Sequence, residues 1–202
     1  MFLIFLRYEL QRARVTWKKA QHLFKGDFFV IKNGVGPRGI YQGQIENLYF
    51  LSAVSAVAEH PKRIERLLLT KNLNKSQIYA VALNYCGVWK KVHLDSYFPT
   101  DEENKPFCAY SDENELWLML LEKAYAKMLS GYWNIGHGGS TSEVLKDITG
   151  APSETQRITE NVDKNQLWEH LVKCTEKDYI VTTESIGDYR VRNGLSGRHT
   201  YT

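Results

Sequence analysis

Cysteine is scarce in this 202-residue chain and odd in number: Cys86, Cys108 and Cys174 are widely separated. They form neither a disulfide framework nor a zinc cluster, and a reducing, cytoplasmic setting fits them most simply. An excess of one charge is also missing. Lys and Arg total 26 against 23 Asp and Glu, a net +3 with no basic run or acidic tail behind it. That balance is too weak to make nucleic acid or an anionic membrane the main partner. Long apolar runs are lacking as well. The segment Met1 to Leu6 stops at Arg7 after about six apolar residues, whereas a signal peptide core needs roughly 7 to 15 and a spanning helix about 20. It reads as a terminal segment packed on the domain, with a cleaved signal peptide as the alternative and no membrane span. No internal repeat or low-complexity tract is visible. What is present suffices for a folded protein: 43% hydrophobic residues against 24% charged can build a core in one or two domains.

From Gly34 to Gly43 the sequence GVGPRGIYQG holds four glycines and a proline, so a turning loop is expected. Asn47 follows as a candidate N-cap for a helix on which Phe50, Leu51, Val54, Val57 and Ala58 recur at helical spacing, with Pro61 limiting its end. A loop aimed at a helix start gathers free N–H groups and the positive end of the dipole, making residues 47 and 48 an electropositive spot. Ile78 to Asn84 and Val88 to Phe98 read as a hairpin closed by Pro99. Glu115 to Leu129 reads as a core helix with Leu116, Leu120, Leu121, Ala124 and Met128 inward and Glu122, Lys123 and Lys127 on the wet side. A glycine loop, 136 to 139, and a short helix from Glu143 to Ile148 come next, then hinge chemistry at Gly150 to Ser153. Beyond it, Asn165 to Cys174 reads as a helix, and Tyr179 to Ser185 and Gly197 to Thr202 as strands.

Isolated residues say little about chemistry. His137 in its glycine loop has the means to bind a metal or shuttle protons, but a lone loop histidine is more often solvated. Glu115 and Glu122, seven apart on one helix, are the kind of pair usually found as surface charges. The glycines of GVGPRG do not follow the phosphate-binding fingerprints.

The segment Gln42-Gly43-Gln44-Ile45-Glu46-Asn47-Leu48-Tyr49-Phe50-Leu51-Ser52-Ala53 resembles the nucleophile motif of the calpain family, Gln-Gly-x-[Leu/Ile]-[Gly/Glu]-[Asp/Asn]-Cys-[Trp/Tyr]-[Phe/Leu]-Leu-[Ala/Ser]-Ala, except that Leu48 stands where the family has Cys. Trp17-Lys18-Lys19 with Leu23-Phe24 is similar to the family's entry segment, and Gly87 to Thr100, GVWKKVHLDSYFPT, to its G-x-W-x-x-V-x-[V/L]-D-x-x-[L/F]-P-T hairpin. Glu115-Leu116-Trp117 with Leu120 to Lys127 resembles its most distinctive helix, and Gly138 to Glu143 the glycine loop bordering its cleft. Gly194 to Tyr201, GLSGRHTY, resembles the G-L-x-x-x-H-A-Y segment carrying its catalytic histidine.

The resemblance implies an α+β, papain-like fold: a helical first lobe with a β-hairpin over residues 1–150, and the start of a β-rich second lobe over 151–202. In papain-like hydrolysis a thiolate at a helix N-terminus attacks, a histidine takes and returns the proton, an Asn orients that histidine, and donors hold the oxyanion. By resemblance Gln42 is the oxyanion donor, His199 the base, and Gly138 and Gly139 border the substrate cleft. Leu48 cannot attack a carbonyl. Cys86, Cys108 and Cys174 have no reason to approach His199, and the orienting Asn and its shielding Trp are expected only beyond Thr202. The resemblance also implies a first-lobe calcium site made of carbonyls near Gly34, an Asp three residues before Gln42, and Glu115. Gly39 occupies the Asp position, so calcium affinity is expected to fall; no cofactor is expected to be required for folding. The expected function is that of a proteolytically inactive calpain-like domain, a pseudoenzyme whose partner is a polypeptide substrate or peptide ligand. The alternatives are a working calcium-dependent cysteine endopeptidase whose sequence here is incomplete or miscalled, and a decayed gene whose product does not fold.

Overall fold

The computed structural model describes residues 15–185, 194–197 and 199–201. The Met1 to Leu6 run and positions 198 and 202 of the last expected strand lie outside the described residues. Strands β1 (Thr16–Lys19) and β2 (Ile40–Tyr41) precede helices α1 (Leu48–Ala58) and α2 (Pro61–Glu65). Strands β3 (Ile78–Tyr85), β4 (Val88–Asp95), β5 (Tyr97–Thr100) and β6 (Tyr110–Ser111) follow. Helices α3 (Trp117–Met128), α4 (Tyr132–Ile135), α5 (Thr141–Thr149) and α6 (Lys164–Glu176) come next, then β7 (Thr183–Ser185) and β8 (His199–Tyr201). These strands pair as two-stranded antiparallel ladders: β1 with β5, β2 with β6, β3 with β4, and β7 with β8.

The core is built around α1 and α3. Phe50, Leu51, Ala53, Val54, Val57 and Ala58 of α1 are all buried, as are Leu118, Met119, Leu120, Leu121 and Ala124 of α3. Phe50 stacks on Tyr125 of α3 with ring centroids 4.9 Å apart, a geometry that aromatic pairs favour beyond simple area burial. Helix α1 packs on α2, α5 and β8, and α3 packs on α4, β3, β4 and β6. Pro61 opens α2 at its first turn, where a missing N–H costs nothing, and so ends α1 where the sequence leads one to expect. Gly150 closes α5 with φ +72°, the left-handed cap that favours glycine. An exposed, irregular run then continues to the start of α6.

The 78–98 region forms a hairpin, but not the expected one. Strands β3 and β4 pair from Ile78↔Asp95 to Tyr85↔Val88, and Cys86 and Gly87 turn the corner with φ +52° and +81°, the two positive angles of the turn that matches strand twist. The chain then bends at Ser96. Residues 97 to 100 leave β3 and pair with β1, placing Pro99 opposite Trp17 inside a strand rather than at a closing turn. A two-stranded ribbon has only edge strands, where a residue without an N–H is tolerated.

The solvated face expected for α3 holds at Lys127, which is exposed, and fails at the other two positions. Glu122 is fully buried, and the Lys123 side chain is only 12% exposed. The Lys123 ammonium turns into the β4–β5 bend, donating to Asp95 Oδ1 at 2.5 Å and to the Tyr97 carbonyl at 2.6 Å, and burial lowers its pKa. Glu115 is buried too, so neither carboxylate of that pair is a surface charge. Among the described residues no helix is long and apolar enough to cross a membrane.

Candidate active site

Residues 42 to 50 fold as a tight entry into α1. The Gln42 side-chain amide donates to the Ile45 carbonyl at 2.9 Å, and the Asn47 N–H donates to the same carbonyl at 2.9 Å. The Asn47 carbonyl then accepts the first helical bonds, from Phe50 N at 2.9 Å and Leu51 N at 3.2 Å. Leu48, half-buried, is the first residue of α1, at the point where unpaired N–H groups and the helix dipole favour negative charge. Asn47 occupies the N-cap position, yet its side chain makes no capping bond. It runs inward instead, donating to Glu122 Oε2 at 2.9 Å.

The glycine loop closes over this entry. Tyr49 donates its hydroxyl to the Ile135 carbonyl at 3.1 Å, and a Cβ added at Gly139 would lie 2.4 Å from the Tyr49 ring. Gly138, at φ +86°, has open space where its side chain would be. The two glycines therefore differ: one is a backbone turn, the other a surface on which an aromatic ring lies. Gly139→Ala is expected to cost about 1–2 kcal/mol by displacing that ring. In a double-mutant cycle of urea unfolding, Tyr49→Ala should remove most of the penalty; a penalty that persists undiminished would show that the ring is not what Gly139 accommodates.

His199 lies on β8, which packs against α1. Its backbone is held from both sides by Ser185, whose hydroxyl donates to the His199 carbonyl at 3.1 Å and accepts its N–H at 3.0 Å. The imidazole meets Tyr201 edge-on at 4.7 Å between centroids. Gln42, Leu48 and Gly139 are thus gathered at the start of α1, and the strand bearing His199 runs beside that helix. His137 remains outside, its Nδ1 2.7 Å from the Trp133 carbonyl and its ring 3.9 Å from the Trp133 ring. Of the three free thiols, Cys86 sits exposed at the hairpin tip and Cys174 on α6, 3.5 Å from His170 Nε2. Cys108 is fully buried, and burial pushes its thiol pKa well up.

Glu115 and Gly39 are placed elsewhere. Glu115 Oε1 accepts the backbone N–H of Lys32 at 2.5 Å and of Asn33 at 3.1 Å, and Oε2 accepts the Trp117 indole N–H at 3.1 Å. A hard cation needs oxygen lone pairs free of such donors. At Gly39 the space of a side chain is taken by Asp112, whose Oδ2 would lie 2.8 Å from an added Cβ. Among the described residues no group of three or more His, Cys, Asp or Glu side chains converges as a metal site would require. So arranged, Glu115 and Gly39 leave a cation few free oxygen ligands.

Reading residues by type missed the polar frame under α1: Glu122, Asn47 and, close by, the Tyr132 hydroxyl, all buried. A signal was there. Glu122 falls four residues after Leu118 and three before Tyr125, on the apolar stripe of α3 rather than opposite it.

Likeness to known proteins places this α+β fold among the cysteine proteases. A profile of calpain family cysteine proteases matches residues 3–202. The chain belongs to that family. The calpain-type cysteine protease DEK1 of Arabidopsis thaliana is 30% identical over 181 residues, covering 87% of this chain and 8% of the plant protein. Calpain-5 of Mus musculus is 28% identical over 208 residues, covering 93% of this chain and 32% of the mouse protein. Calpain-9 of Homo sapiens is 28% identical over 203 residues, covering 93% of this chain and 28% of the human protein. The chain thus spans about a third or less of the length of these relatives.

Proposed function

We propose that this calpain-type catalytic domain binds an extended polypeptide without cleaving it. One observation carries the reading: the side chain at the head of α1, where the family motif has its nucleophile, is the alkyl group of Leu48. The helix end still favours an anion and Gln42 still stands beside it, but loss of the nucleophile from such a site leaves only the residual catalysis of binding and oxyanion stabilisation. The cleft bordered by Gly138 and Gly139 offers backbone groups to an extended peptide. The lobe boundary is set at residue 150, supported by the left-handed Gly150 and the exposed run after it. Calcium is assigned no more than a weakened site, in keeping with the N–H donors on Glu115. Three free thiols support a reducing, cytoplasmic setting.

Purified protein incubated with casein or a fluorogenic peptide, with and without calcium, is expected to show no turnover above buffer. Turnover that His199→Ala abolishes would overturn the reading. The runner-up, an active calcium-dependent endopeptidase with residue 48 miscalled, is favoured by how much of the motif survives around Leu48. Resequencing its codon and reading the transcript past Thr202 decide between the two: a cysteine codon together with a downstream Asn-Pro-Trp restores the enzyme.

A further inference from the structure

Beneath the head of α1 lies a buried pair whose hydrogen bonds do not balance. Glu122 and Asn47 are both fully buried. Glu122 Oε2 accepts two donors, the Asn47 side-chain amide at 2.9 Å and the Ala109 backbone N–H at 3.0 Å. Glu122 Oε1 and Asn47 Oδ1 have no partner. Two orphaned acceptors in a buried site are costly; the Asn47 amide oxygen is an acceptor in every state, whereas Glu122 Oε1 becomes a donor once the carboxyl is protonated. Reversing the Asn47 amide does not help: it would set Oδ1 against Oε2. Each orientation calls for one more hydrogen, and a carboxylic acid supplies it.

Among the described residues no cation takes that role. On α3 itself, Lys123 is committed to Asp95 and the Tyr97 carbonyl, and Lys127 to the His93 carbonyl. The titratable groups facing Glu122 are Tyr49 from α1, Cys108 from the segment before β6 and Tyr132 from α4; the pKa of each is raised, so each is neutral near pH 7. The positive end of α1 favours the anion, but burial with only two donors outweighs it and pushes the Glu122 carboxyl up to about 7.

We propose that Glu122 is carried as the neutral acid in the folded domain and closes a two-bond acid–carboxamide pair with Asn47, which fixes the first residue of α1 and the backbone donors at position 48. Glu122 is thereby a positioning residue for the seat, whatever the cleft binds. Because Asn47 supplies the carbonyl on which α1 starts, ionising Glu122 loosens the helix at the residue where a substrate carbonyl would lie.

The sign of the pH dependence follows. An acid whose pKa is raised on folding contributes stability that is full below about 4.5 and is lost as pH rises through about 7. Relative to Glu122→Gln, whose amide supplies the missing hydrogens at every pH, the folding constant of the parent should fall roughly seventyfold between pH 5 and pH 8. Asp147, raised to about 6 by burial, titrates in the same direction but in both proteins, so it cancels in the difference. Urea unfolding across that range measures this. In the parent alone, NMR of carbon-13-labelled glutamate should show one carboxyl that shifts only near pH 7, with the Asn47 side-chain amide protons following the same midpoint. Parallel unfolding profiles for the two proteins, or a Glu122 carboxyl titrating near 4.5, would overturn the proposal. The NMR titration decides it even if the variant does not fold.

Discussion

Gly43→Ala is expected to destabilise the domain by about 3 kcal/mol or more, lowering its melting temperature by roughly 10 °C. A Cβ at residue 43 would lie 2.3 Å from the carbonyl oxygens of both Phe107 and Cys108. These are backbone atoms and cannot swing aside as a side chain can. The Phe107 carbonyl is also pinned, accepting the Gln44 N–H at 2.9 Å, so relief requires the segment before β6 to part from the entry to α1. Gly36→Ala in the same loop is the matched control, since nothing lies within 4 Å of its added Cβ. Differential scanning calorimetry of the two variants separates them; a Gly43→Ala melt within about 2 °C of the control would mean the close approach is not real.

The second large effect lies at Glu115. Its carboxylate gathers the backbone N–H groups of Lys32 and Asn33 and the Trp117 indole, joining the loop before β2 to the head of α3. Glu115→Ala leaves all three donors without their acceptor, at about 1 kcal/mol or more each where water does not reach, so a loss of about 3 kcal/mol is expected. Glu115→Gln should fall between, because its carbonyl still serves two donors while its amide hydrogens meet a third. Urea unfolding of the three proteins gives the ranking; an alanine variant within about 0.5 kcal/mol of the parent would show that the carboxylate does not tie the loop.

Those two residues also mark what sequence could and could not convey. The start of α1 and the Pro61 stop follow from local chemistry, and structure and sequence agree on them; the hairpin corner falls where expected but is tighter, with Tyr85 still paired to Val88. The split of the 88–98 run into β4 and β5 does not, because it is imposed by β1, whose Thr16 pairs with Thr100. A composition rich in β-formers is blind to that partner. Likewise the glycines at 36 and 43 look equivalent in the loop, and only the carbonyls of residues 107 and 108 tell them apart. Residue type led Glu122 to be assigned to solvent because two lysines follow it on the helix. For the site, the positions that a motif records, Gln42, Leu48 and Gly139, are brought together at α1. The frame that holds them is made of tertiary contacts that no local pattern encodes.

One tie between distant parts of the chain has a kinetic meaning. Asp178, at φ +56°, lies 2.8 Å from His60 Nε2 and accepts from Arg63 at 2.6 Å, so α2 is joined to a residue 118 positions downstream of His60. The β1–β5 ladder likewise joins residues 84 apart at its widest. Pairings of such separation close large loops before any contact rewards them, and chains rich in them fold slowly. At roughly 5–20 residues per second of synthesis, β1 waits several seconds on the ribosome for its partner strand. Through that interval Trp17 and its neighbours are an unpaired edge, open to other chains.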